Sequence, residues 1–392
     1  MTLEVHSLGC RLNIAESESL RGLLGEAQDL VVINSCAVTA EAVRQTRQAI
    51  RRARRAHPGA RLLVTGCAAE VERAALAGMP EVDGLVPNAA KLDPRAWNVA
   101  VAPRPVERRG YTRGFVQVQN GCDHACTFCV IPQGRGPSRS RSLPAVLEDV
   151  AVHLDAGVRE IVLTGVDLTS WGADLPGEPR LGSLVGAILD RFPSLPRLRL
   201  SSIDGAEVDA ALFELLAGET RLMPHVHLSL QHGDDLILKR MKRRHSRADA
   251  LRLAERLKAR RPEIALGADL IAGFPTEDAA AHAANLSIVA ELGVVHGHVF
   301  PYSPRPGTPA ARMPQVDPAL VRARGAQLRA QVAQERDSWL AAHLGKPLRV
   351  LAERNGTGHA ADFAPVRVPP GTPAGTLVDV VPTQIVEGIL EA

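Results

Sequence analysis

The sequence predicts an α/β protein built from three successive units. β-prone runs alternate with helical patterns twice, at short spacing to about residue 85 and at larger spacing from about residue 113 to 340. After about residue 346 the pattern changes to short β-like runs separated by turns rich in Gly and Pro. Alternation of strand and helix indicates parallel sheets, and short strands with tight turns indicate an antiparallel sheet or barrel. We therefore expect a small parallel βαβ unit, a partial (βα)6 TIM-like barrel and a small antiparallel β-barrel.

Composition restricts the class of protein further. The chain has 392 residues, enough for two or three domains with hydrophobic cores, and a formal net charge of +3. It has no apolar run of the roughly 20 residues that span a bilayer, and MTLEVHSLGC lacks the layout of a signal peptide. These features predict a cytoplasmic protein with no membrane partner. Thiols stay reduced in the cytoplasm, so the six cysteines are expected to be metal ligands or catalysts rather than disulfides.

In the first unit each strand pattern ends just before a cysteine. The runs LEVHSL, LVVINS and RLLVTG precede Cys10, Cys36 and Cys67, and the helical segments AESESLRGLLGEA and EAVRQTRQAIRRARRA separate them. Because the carboxyl ends of parallel strands share one edge, the three cysteines are expected to converge. A buried free cysteine is often a small hydrophobe, and for any one of the three that alternative is favoured. For three at equivalent strand ends, a shared ligand is the better interpretation.

The second unit follows a proline-rich linker predicted at about 88–112. Its strand candidates are FVQVQ, EIVLTG, RLRLSS, VHLSLQ, a strand within IALGADLIAG, and VVHGHVF. Barrels of this type carry their chemistry at the carboxyl ends of the strands. The loop GCDHACTFCV follows the first strand, at the edge where a functional site is expected.

This loop places Cys122, Cys126 and Cys129 at a C-x3-C-x2-C spacing. Zinc is one alternative, with His124 or a remote residue as fourth ligand, but no second ligand pair lies nearby in the sequence. Three thiolates suit an iron–sulfur cluster that leaves one iron free for a substrate or cofactor. The spacing, at the mouth of a six-strand βα unit, resembles the radical S-adenosylmethionine (SAM) superfamily, in which the open iron binds SAM.

The whole chain resembles one family of that superfamily, the methylthiotransferases. SLGCRLNIAESE, INSCAVT and VTGCAAE resemble its three N-terminal cysteine motifs, QNGCDHACTFCVIPQGRGPSRSR resembles its SAM-cluster loop, and the last unit resembles its TRAM domain. The resemblance implies an auxiliary 4Fe-4S cluster on Cys10, Cys36 and Cys67. It implies three domains: a methylthiotransferase domain over 1–105, a radical SAM domain over 106–340 and an RNA-binding TRAM-like domain over 341–392.

The resemblance also implies a reaction. One SAM methylates sulfur at the auxiliary cluster, and a second SAM yields a radical that removes hydrogen from an unactivated carbon. Such a C–H bond has no useful acidity, so a general base could not remove its proton at neutral pH, and a radical can take the hydrogen atom instead. The radical carbon must lie near the sulfur, so the two clusters are expected to face each other across the substrate. An electron donor such as a flavodoxin or ferredoxin is implied as a partner.

The substrate implied most strongly is N6-threonylcarbamoyladenosine beside the anticodon of tRNA, since the motifs look most like the subfamily that modifies it. Isopentenyladenosine in tRNA is an alternative. An aspartate of a small-subunit ribosomal protein is another, although GCRLN lacks the Pro-Lys dipeptide associated with that subfamily. Gln133 stands where Tyr is expected and His232 where Ser is expected, both near the expected active-site mouth. Two further alternatives are a radical SAM enzyme of other chemistry with an electron-relay cluster, and a non-catalytic iron–sulfur protein that binds RNA.

Two further sets of residues are predicted to bind ligands. Cofactor binding is predicted for residues at or near the strand ends: Thr164, Gly165, Asp167, Ser201, Gln231 and Asp269. For each of them, local turn or cap chemistry is an equal alternative. Binding to RNA phosphates is predicted for four cations of one basic block: Lys239, Lys242, Arg243 and Arg244. The arginines between residues 44 and 55 are ambiguous, because a solvated helix face has the same pattern.

Overall fold

The N-terminal unit is a parallel sheet flanked by helices. The structure, a computed structural model, describes residues 3–25, 27–97 and 112–392. The strands run in the order β1-β2-β3-β4, all parallel: β1 Glu4–Ser7, β2 Leu30–Ser35, β3 Arg61–Gly66 and β4 Gly84–Leu85. The helices are α1 Arg11–Leu23, α2 Ala40–Ala56, α3 Cys67–Val71 and α4 Arg73–Ala77. The predicted βαβ arrangement is confirmed, and α1 begins earlier than predicted, directly after Cys10.

The predicted linker is only partly a linker. Residues 88–97 pack on the N-terminal sheet, where Trp97 is fully buried and donates from Nε1 to the carbonyl of Lys91 at 2.7 Å. Lys91 is buried as well. The predicted boundary between residues 105 and 106 lies outside the described residues, so the domain limits stay a prediction.

The second unit is an incomplete parallel barrel. Its described strands are β5 Arg113–Gln117, β6 Gln119–Asn120, β7 Arg139–Ser140, β8 Glu160–Thr164, β9 Arg197–Leu200, β10 His225–Gln231, β11 Ala265–Ala272 and β12 Val294–Pro301. Strands β6 and β7 form a separate antiparallel pair, and the other six belong to the barrel. The barrel strands form two parallel sheets, β5-β8-β9 and β10-β11-β12, which the parallel bridge between Ile203 and Leu228 joins. This confirms the predicted partial barrel.

The helices of the second unit mostly cover the outside of the barrel, but the short helix Ile131–Arg135 packs against α3 of the N-terminal unit. They are α5 Ile131–Arg135, α6 Leu143–Asp155, α7 Leu181–Arg191, α8 Ala210–Gly218, α9 Asp235–Arg240, α10 Arg247–Arg260, α11 Ala279–Leu292 and α12 Pro318–Ala341. The main hydrophobic core lies between these helices and the outward-facing strand residues such as Leu163, Leu228 and Leu270. The inward-facing positions of the same strands are mostly polar, so the barrel encloses a polar lumen.

The N-terminal unit stands against the open side of the barrel. Helix α1 packs beside β5, the first barrel strand. On the other side, Arg305, which follows β12, donates to Glu72 at 3.1 Å. The N-terminal unit therefore contacts both edges of the opening.

The C-terminal unit is a six-stranded sheet docked on the barrel. Its strands are β13 Leu348–Ala352, β14 Thr357–His359, β15 Pro365–Arg367, β16 Leu377–Val380, β17 Gln384–Val386 and β18 Ile389–Glu391. They run in the order β16-β13-β14-β15-β18-β17, antiparallel as predicted except for the parallel pair β15 and β18. Arg113 at the start of β5 lies 2.5 Å from Glu353. The unit therefore sits at the amino ends of the barrel strands, opposite the cysteine loop.

Among the described residues, no helix is long and apolar enough to cross a membrane.

Candidate active site

The first cysteine group lies at the carboxyl edge of the N-terminal sheet. Cys10 is the N-cap of α1, Cys36 follows β2, and Cys67 is the first residue of α3. The loops approach closely, because a Cβ added to Gly9 would lie 2.6 Å from the Cβ of Cys36. Gly9 also has a φ of +94°, so both space and backbone conformation favour glycine there.

The three thiols are close enough to influence one another. Burial, together with the neighbouring Cys67 and Cys10, raises the pKa of Cys36 to about 11. Burial also raises the pKa of Cys67, while Arg135 and Lys91 oppose the rise. The raised pKa values favour protonated thiols at Cys36 and Cys67, so metal binding through these two residues releases protons.

A buried ion network stands beside this group. Glu16 accepts from Lys91 Nζ at 2.5 Å and from Arg135 Nη1 at 2.8 Å. Arg135 also donates from Nη2 to Asn13 Oδ1 at 2.5 Å. Burial disfavours the charge on Arg135, but Glu16 and Cys67 raise its pKa above the usual range. Two cations against one carboxylate leave a net positive charge beside Cys67, which suits an anionic iron–sulfur cluster.

The second cysteine group lies in the loop 121–130, between β6 and α5. Cys122 Sγ accepts from the backbone N–H of His124, and Cys129 Sγ accepts from that of Ile131, both at 3.4 Å. Burial raises the pKa of Cys122 to about 11 and that of Cys129 to about 12. Hydrogen bonds to sulfur are among the features that orient cluster ligands and tune their clusters.

Sulfur spacing distinguishes a cluster from a zinc ion. Zn–S bonds of about 2.3 Å place the sulfurs of a tetrahedral site only about 4 Å apart. Within the described ranges, two donor groups have all their ligand atoms within 4.8 Å: Cys122 with His124 and Asp167, and His227 with Asp269 and His298. Neither cysteine triad meets that limit. The wider spacing fits a polynuclear cluster better than one zinc ion.

His124, the alternative zinc ligand, has another partner. Its Nε2 lies 2.5 Å from Asp167 Oδ2. This contact raises the pKa of His124, and the Asp167 carboxylate occupies the Nε2 side of its ring. Asp167 also accepts from Ser170 Oγ at 2.6 Å. The predicted cofactor residue Asp167 therefore lies directly beside the cysteine loop.

The other predicted cofactor residues lie at different distances from the carboxyl edge of the barrel. Thr164 ends β8, Gly165 follows it, and Ser201 follows β9 directly. Gln231 ends β10 with a φ of +71°, an uncommon conformation for a residue other than glycine. These four lie at the carboxyl edge of the barrel. Asp269 lies deeper, because β11 continues for three more residues.

Gln119 joins this edge to the cysteine loop and was missed by the sequence analysis. Its Oε1 accepts from the backbone N–H groups of Val166 at 3.0 Å and Asp167 at 2.9 Å. Its Nε2 donates to the carbonyl of Gly121 at 2.8 Å. The signal available in the sequence was a glutamine three residues before Cys122, the first cysteine of the loop.

Asp269 forms a polar cluster inside the lumen. It accepts from His227 Nε2 and contacts His298 Nδ1, both at 3.0 Å. Burial alone would raise the pKa of Asp269, but the two histidines lower it below the usual range. Asp269 is therefore a carboxylate held between two imidazoles.

The basic block predicted to bind RNA divides into two parts. Lys239, in the last turn of α9, and Lys242, just after it, are exposed. Both stand near the carboxyl edge of the barrel and remain candidates for phosphate binding. The arginines of α2, by contrast, include several that pair with nearby carboxylates, as expected for a solvated helix face.

Arg243 and Arg244 already have carboxylate partners within the protein. Arg243 points inward, donating to Asp204 at 2.9 Å and to Cys126 Sγ at 3.5 Å. Arg244 is engaged by Asp204 and by Glu207. Arg243 is therefore mostly buried beside the cysteine loop, whereas Arg244 keeps 40% of its side chain exposed, and the binding of RNA phosphates by either residue stays a prediction.

His232 is also placed differently from the prediction. It is fully buried, with Nε2 3.1 Å from Glu277 and Nδ1 accepting from the backbone N–H of Asp234 at 3.0 Å. It therefore belongs to the protein interior rather than to the active-site mouth. Gln133, the other departure, is exposed on α5.

Two family models match the chain. The model described as the Radical SAM superfamily matches residues 116–285, which include the second cysteine group and most of the barrel. The model described as Uncharacterized protein family UPF0004 matches residues 2–87, which include the first cysteine group.

Curated relatives cover nearly the full chain. The "Threonylcarbamoyladenosine tRNA methylthiotransferase MtaB" of Rickettsia prowazekii is 42% identical, over 93% of this chain and 91% of the relative. The "tRNA-2-methylthio-N(6)-dimethylallyladenosine synthase" of Erythrobacter litoralis is 34% identical, over 91% of this chain and 87% of the relative.

Among solved structures, the radical SAM methyltransferase TsrM from Kitasatospora setae has a TM-score of 0.54. It is 17% identical and the match covers 76% of this chain and 68% of TsrM. At that identity the likeness concerns the fold alone.

Proposed function

The chain belongs to the radical SAM methylthiotransferase family, and from this we propose that it adds a methylthio group to carbon 2 of N6-threonylcarbamoyladenosine in tRNA. The observation that carries the proposal is the pair of three-thiol groups, one at each of two neighbouring sheet edges. The choice of nucleoside is supported by the identity of 42% with the threonylcarbamoyladenosine enzyme of Rickettsia prowazekii.

We propose that each thiol group holds one 4Fe-4S cluster. The ligands would be Cys122, Cys126 and Cys129 for the SAM-binding cluster, and Cys10, Cys36 and Cys67 for the auxiliary cluster. Sulfur spacing, hydrogen bonds to sulfur and nearby cations support this assignment. When bound, the clusters and SAM supply the radical chemistry and the methylthio group.

The chain's own part in the reaction is positioning. Arg135 ends the helix that follows one cysteine group, and its guanidinium is held by Glu16 beside the other group. Reacting centres must be held near each other in a fixed geometry, and this buried contact fixes the two loops relative to one another. Since hydrogen is removed by a radical, we assign no general base.

We propose that the anticodon stem-loop of tRNA lies over the carboxyl edge of the barrel, where Lys239 and Lys242 are exposed. Backbone phosphates bind lysine as a point charge, and such contacts position the RNA without reading its sequence. A reductant such as a flavodoxin or ferredoxin would supply electrons, and the reaction would take place in the cytoplasm, where tRNA is modified.

The double change Lys239→Glu and Lys242→Glu is expected to weaken tRNA binding and to reduce its dependence on salt. Each lost phosphate contact lowers the slope of log K against log salt by about one. The slope is measured by titrating tRNA into the holoenzyme between about 50 and 200 mM salt.

The matched control reverses two exposed arginines on the outer helix α10, Arg252 and Arg256. We expect the control to keep the wild-type slope. Equal slopes for the lysine variant and the wild type at every salt concentration would remove these lysines from the RNA interface.

The proposed function is tested by mass spectrometry of nucleosides. The tRNA comes from a host that lacks its own methylthiotransferases, with and without this gene. We expect 2-methylthio-N6-threonylcarbamoyladenosine only when the gene is present. The methylthio product of isopentenyladenosine would change the assigned nucleoside. SAM cleavage without any methylthio product would favour an electron-relay role for the N-terminal cysteines.

A further inference from the structure

Arg11 places a cation inside the barrel without a partner among the described residues. Its guanidinium carbon lies 5.7 Å from the ring centroid of Phe363, and those of Arg113 and Arg199 lie 5.3 and 4.8 Å from the same ring. Arg113 and Arg199 both bond to Glu160. Within the described part of the chain, Arg11 makes no hydrogen bond or ion pair.

This cation is electrostatically unsatisfied. The ring of Phe363 and the cations of Arg113 and Arg199 lie around Arg11, and none of them supplies a negative charge. The carboxylate of Glu160 is shared among other arginines, and that of Asp269 is held by two histidines. A partly buried charge without a partner is costly, and a bound anion would relieve that cost.

The lumen beside Arg11 is polar and open. Asp269, an electrostatic neighbour of Arg11, keeps 20% of its side chain exposed, and His298 keeps 60%. His227 lies behind them, its ring centroid 4.5 Å from that of His298. The three residues from Asp269 to Ala272 span about 10 Å, so this layer lies about that far below the carboxyl edge. A group entering from the edge therefore meets the carboxylate of Asp269 and the imidazole of His298, and Arg11 is near enough to interact with the charge of Asp269.

We propose that Arg11 binds the carboxylate of the threonine group carried by the substrate adenosine, with Asp269 and His298 facing the hydroxyl and N–H groups of the same substituent. The proposal rests on the proposed function and adds the means by which the nucleoside is selected. A threonylcarbamoyl group offers one carboxylate, one hydroxyl and N–H donors, which match this set of partners. It assigns Arg11 as a specificity residue.

The same set of residues disfavours an isopentenyl substituent. An apolar group at this layer would take water from Arg11, Asp269 and His298 and return no hydrogen bond. Sites built around polar groups reject analogues that lack them, because buried partners are then left unpaired. The lumen therefore favours the threonylcarbamoyl nucleoside over the isopentenyl one.

The test compares three anticodon stem-loop RNAs that differ at one nucleoside. They carry N6-threonylcarbamoyladenosine, its methyl ester, or isopentenyladenosine, and binding to the holoenzyme is measured by fluorescence anisotropy. We expect the wild type to bind the free acid about tenfold to a hundredfold more tightly than the ester, the range of a hydrogen bond to a charged group. We expect Arg11→Gln to bind acid and ester equally. A wild type that does not distinguish acid from ester, or an Arg11→Gln variant that still does, overturns the proposal.

Two controls separate this contact from other effects. Arg159→Gln removes the same charge at an exposed position and is expected to keep the preference for the acid. Because Arg11 follows Cys10, iron and sulfide contents of Arg11→Gln are measured and expected to match the wild type. The nucleoside product of the wild type tests the proposed function separately. A threonylcarbamoyl product without an acid preference defeats this inference alone, whereas an isopentenyl product defeats the proposed function as well.

Discussion

Replacing Cys122 by Ala is expected to abolish both SAM cleavage and methylthio transfer, whereas replacing Cys36 by Ala abolishes the transfer and spares the cleavage. Each proposed cluster has three protein thiolates, so one substitution removes a third of its attachment to the chain. Loss of residues that only support metal ligands costs about tenfold to a hundredfold, and loss of a ligand is expected to exceed that range. The two products are measured together, as 5′-deoxyadenosine and as the methylthio nucleoside.

The control for this pair of variants is Thr127→Ser, in the same loop. Thr127 Oγ1 donates to the carbonyl of Arg240 at 2.8 Å, and serine can keep that bond, so both products are expected to persist. A Cys122→Ala enzyme that still cleaves SAM contradicts the assignment of the second cysteine group. A Cys36→Ala enzyme that loses cleavage as well as transfer supports the electron-relay alternative.

Replacing Glu160 by Gln is expected to destabilise the protein by about 3–5 kcal/mol, the range for removing one partner from a buried ion pair. Glu160 is completely buried and lies 2.5 Å from Arg113, 3.1 Å from Arg199 and 3.5 Å from Arg197. Glutamine keeps the shape but leaves three guanidinium groups without their common anion. The free energy of unfolding is compared by urea denaturation followed by circular dichroism.

Glu214→Gln is the matched control for this change. Glu214 pairs with Arg260 at 3.1 Å on the surface, with 62% of its side chain exposed. Exposed pairs contribute at most about 1 kcal/mol, so the control is expected to unfold close to the wild type. Equal stability of the Glu160→Gln variant and the wild type would show that the arginines find other partners.

The pH dependence of the Glu160 contribution has a defined sign. Burial favours the neutral acid, but Arg199 and Arg113 lower the pKa of Glu160 from 4.5 to about 2. A carboxylate with a lowered pKa stabilises the folded state fully above its unfolded pKa, and that contribution is lost as the pH falls through the folded pKa. The stability difference between wild type and Glu160→Gln is therefore expected to be constant above about pH 5 and to shrink toward pH 2.

Local sequence patterns predicted the fold and the location of the cysteines. Strand runs rich in Val, Ile and Leu end just before Cys10, Cys36 and Cys67, and short apolar runs bounded by turn residues can be recognised in the sequence alone. The six barrel strands were found for the same reason. Periodicity did not indicate that residues 88–97 pack against the sheet, because their burial depends on a surface formed by other segments.

Local patterns failed wherever a charged residue turned inward. Arg243 belongs to a run of basic residues that suggests an exposed surface, yet it lies between Asp204 and Cys126. His232 was expected near the active-site mouth, yet it is buried against Glu277. Composition shows that charges are present, but the direction of each side chain is set by the elements that surround it.

The sequence by itself determined the donor chemistry of this protein, the alternation of strand and helix, and the strand ends at which the cysteines lie. The tertiary structure alone decided which charges are buried together, as in Glu16 with Lys91, 75 residues away, and with Arg135, 119 residues away. It also decided that Arg11 lies in the lumen with no partner among the described residues. The physical reason is that strand formation depends on neighbouring residues, whereas the cost of burying a charge depends on groups that only the folded chain brings together.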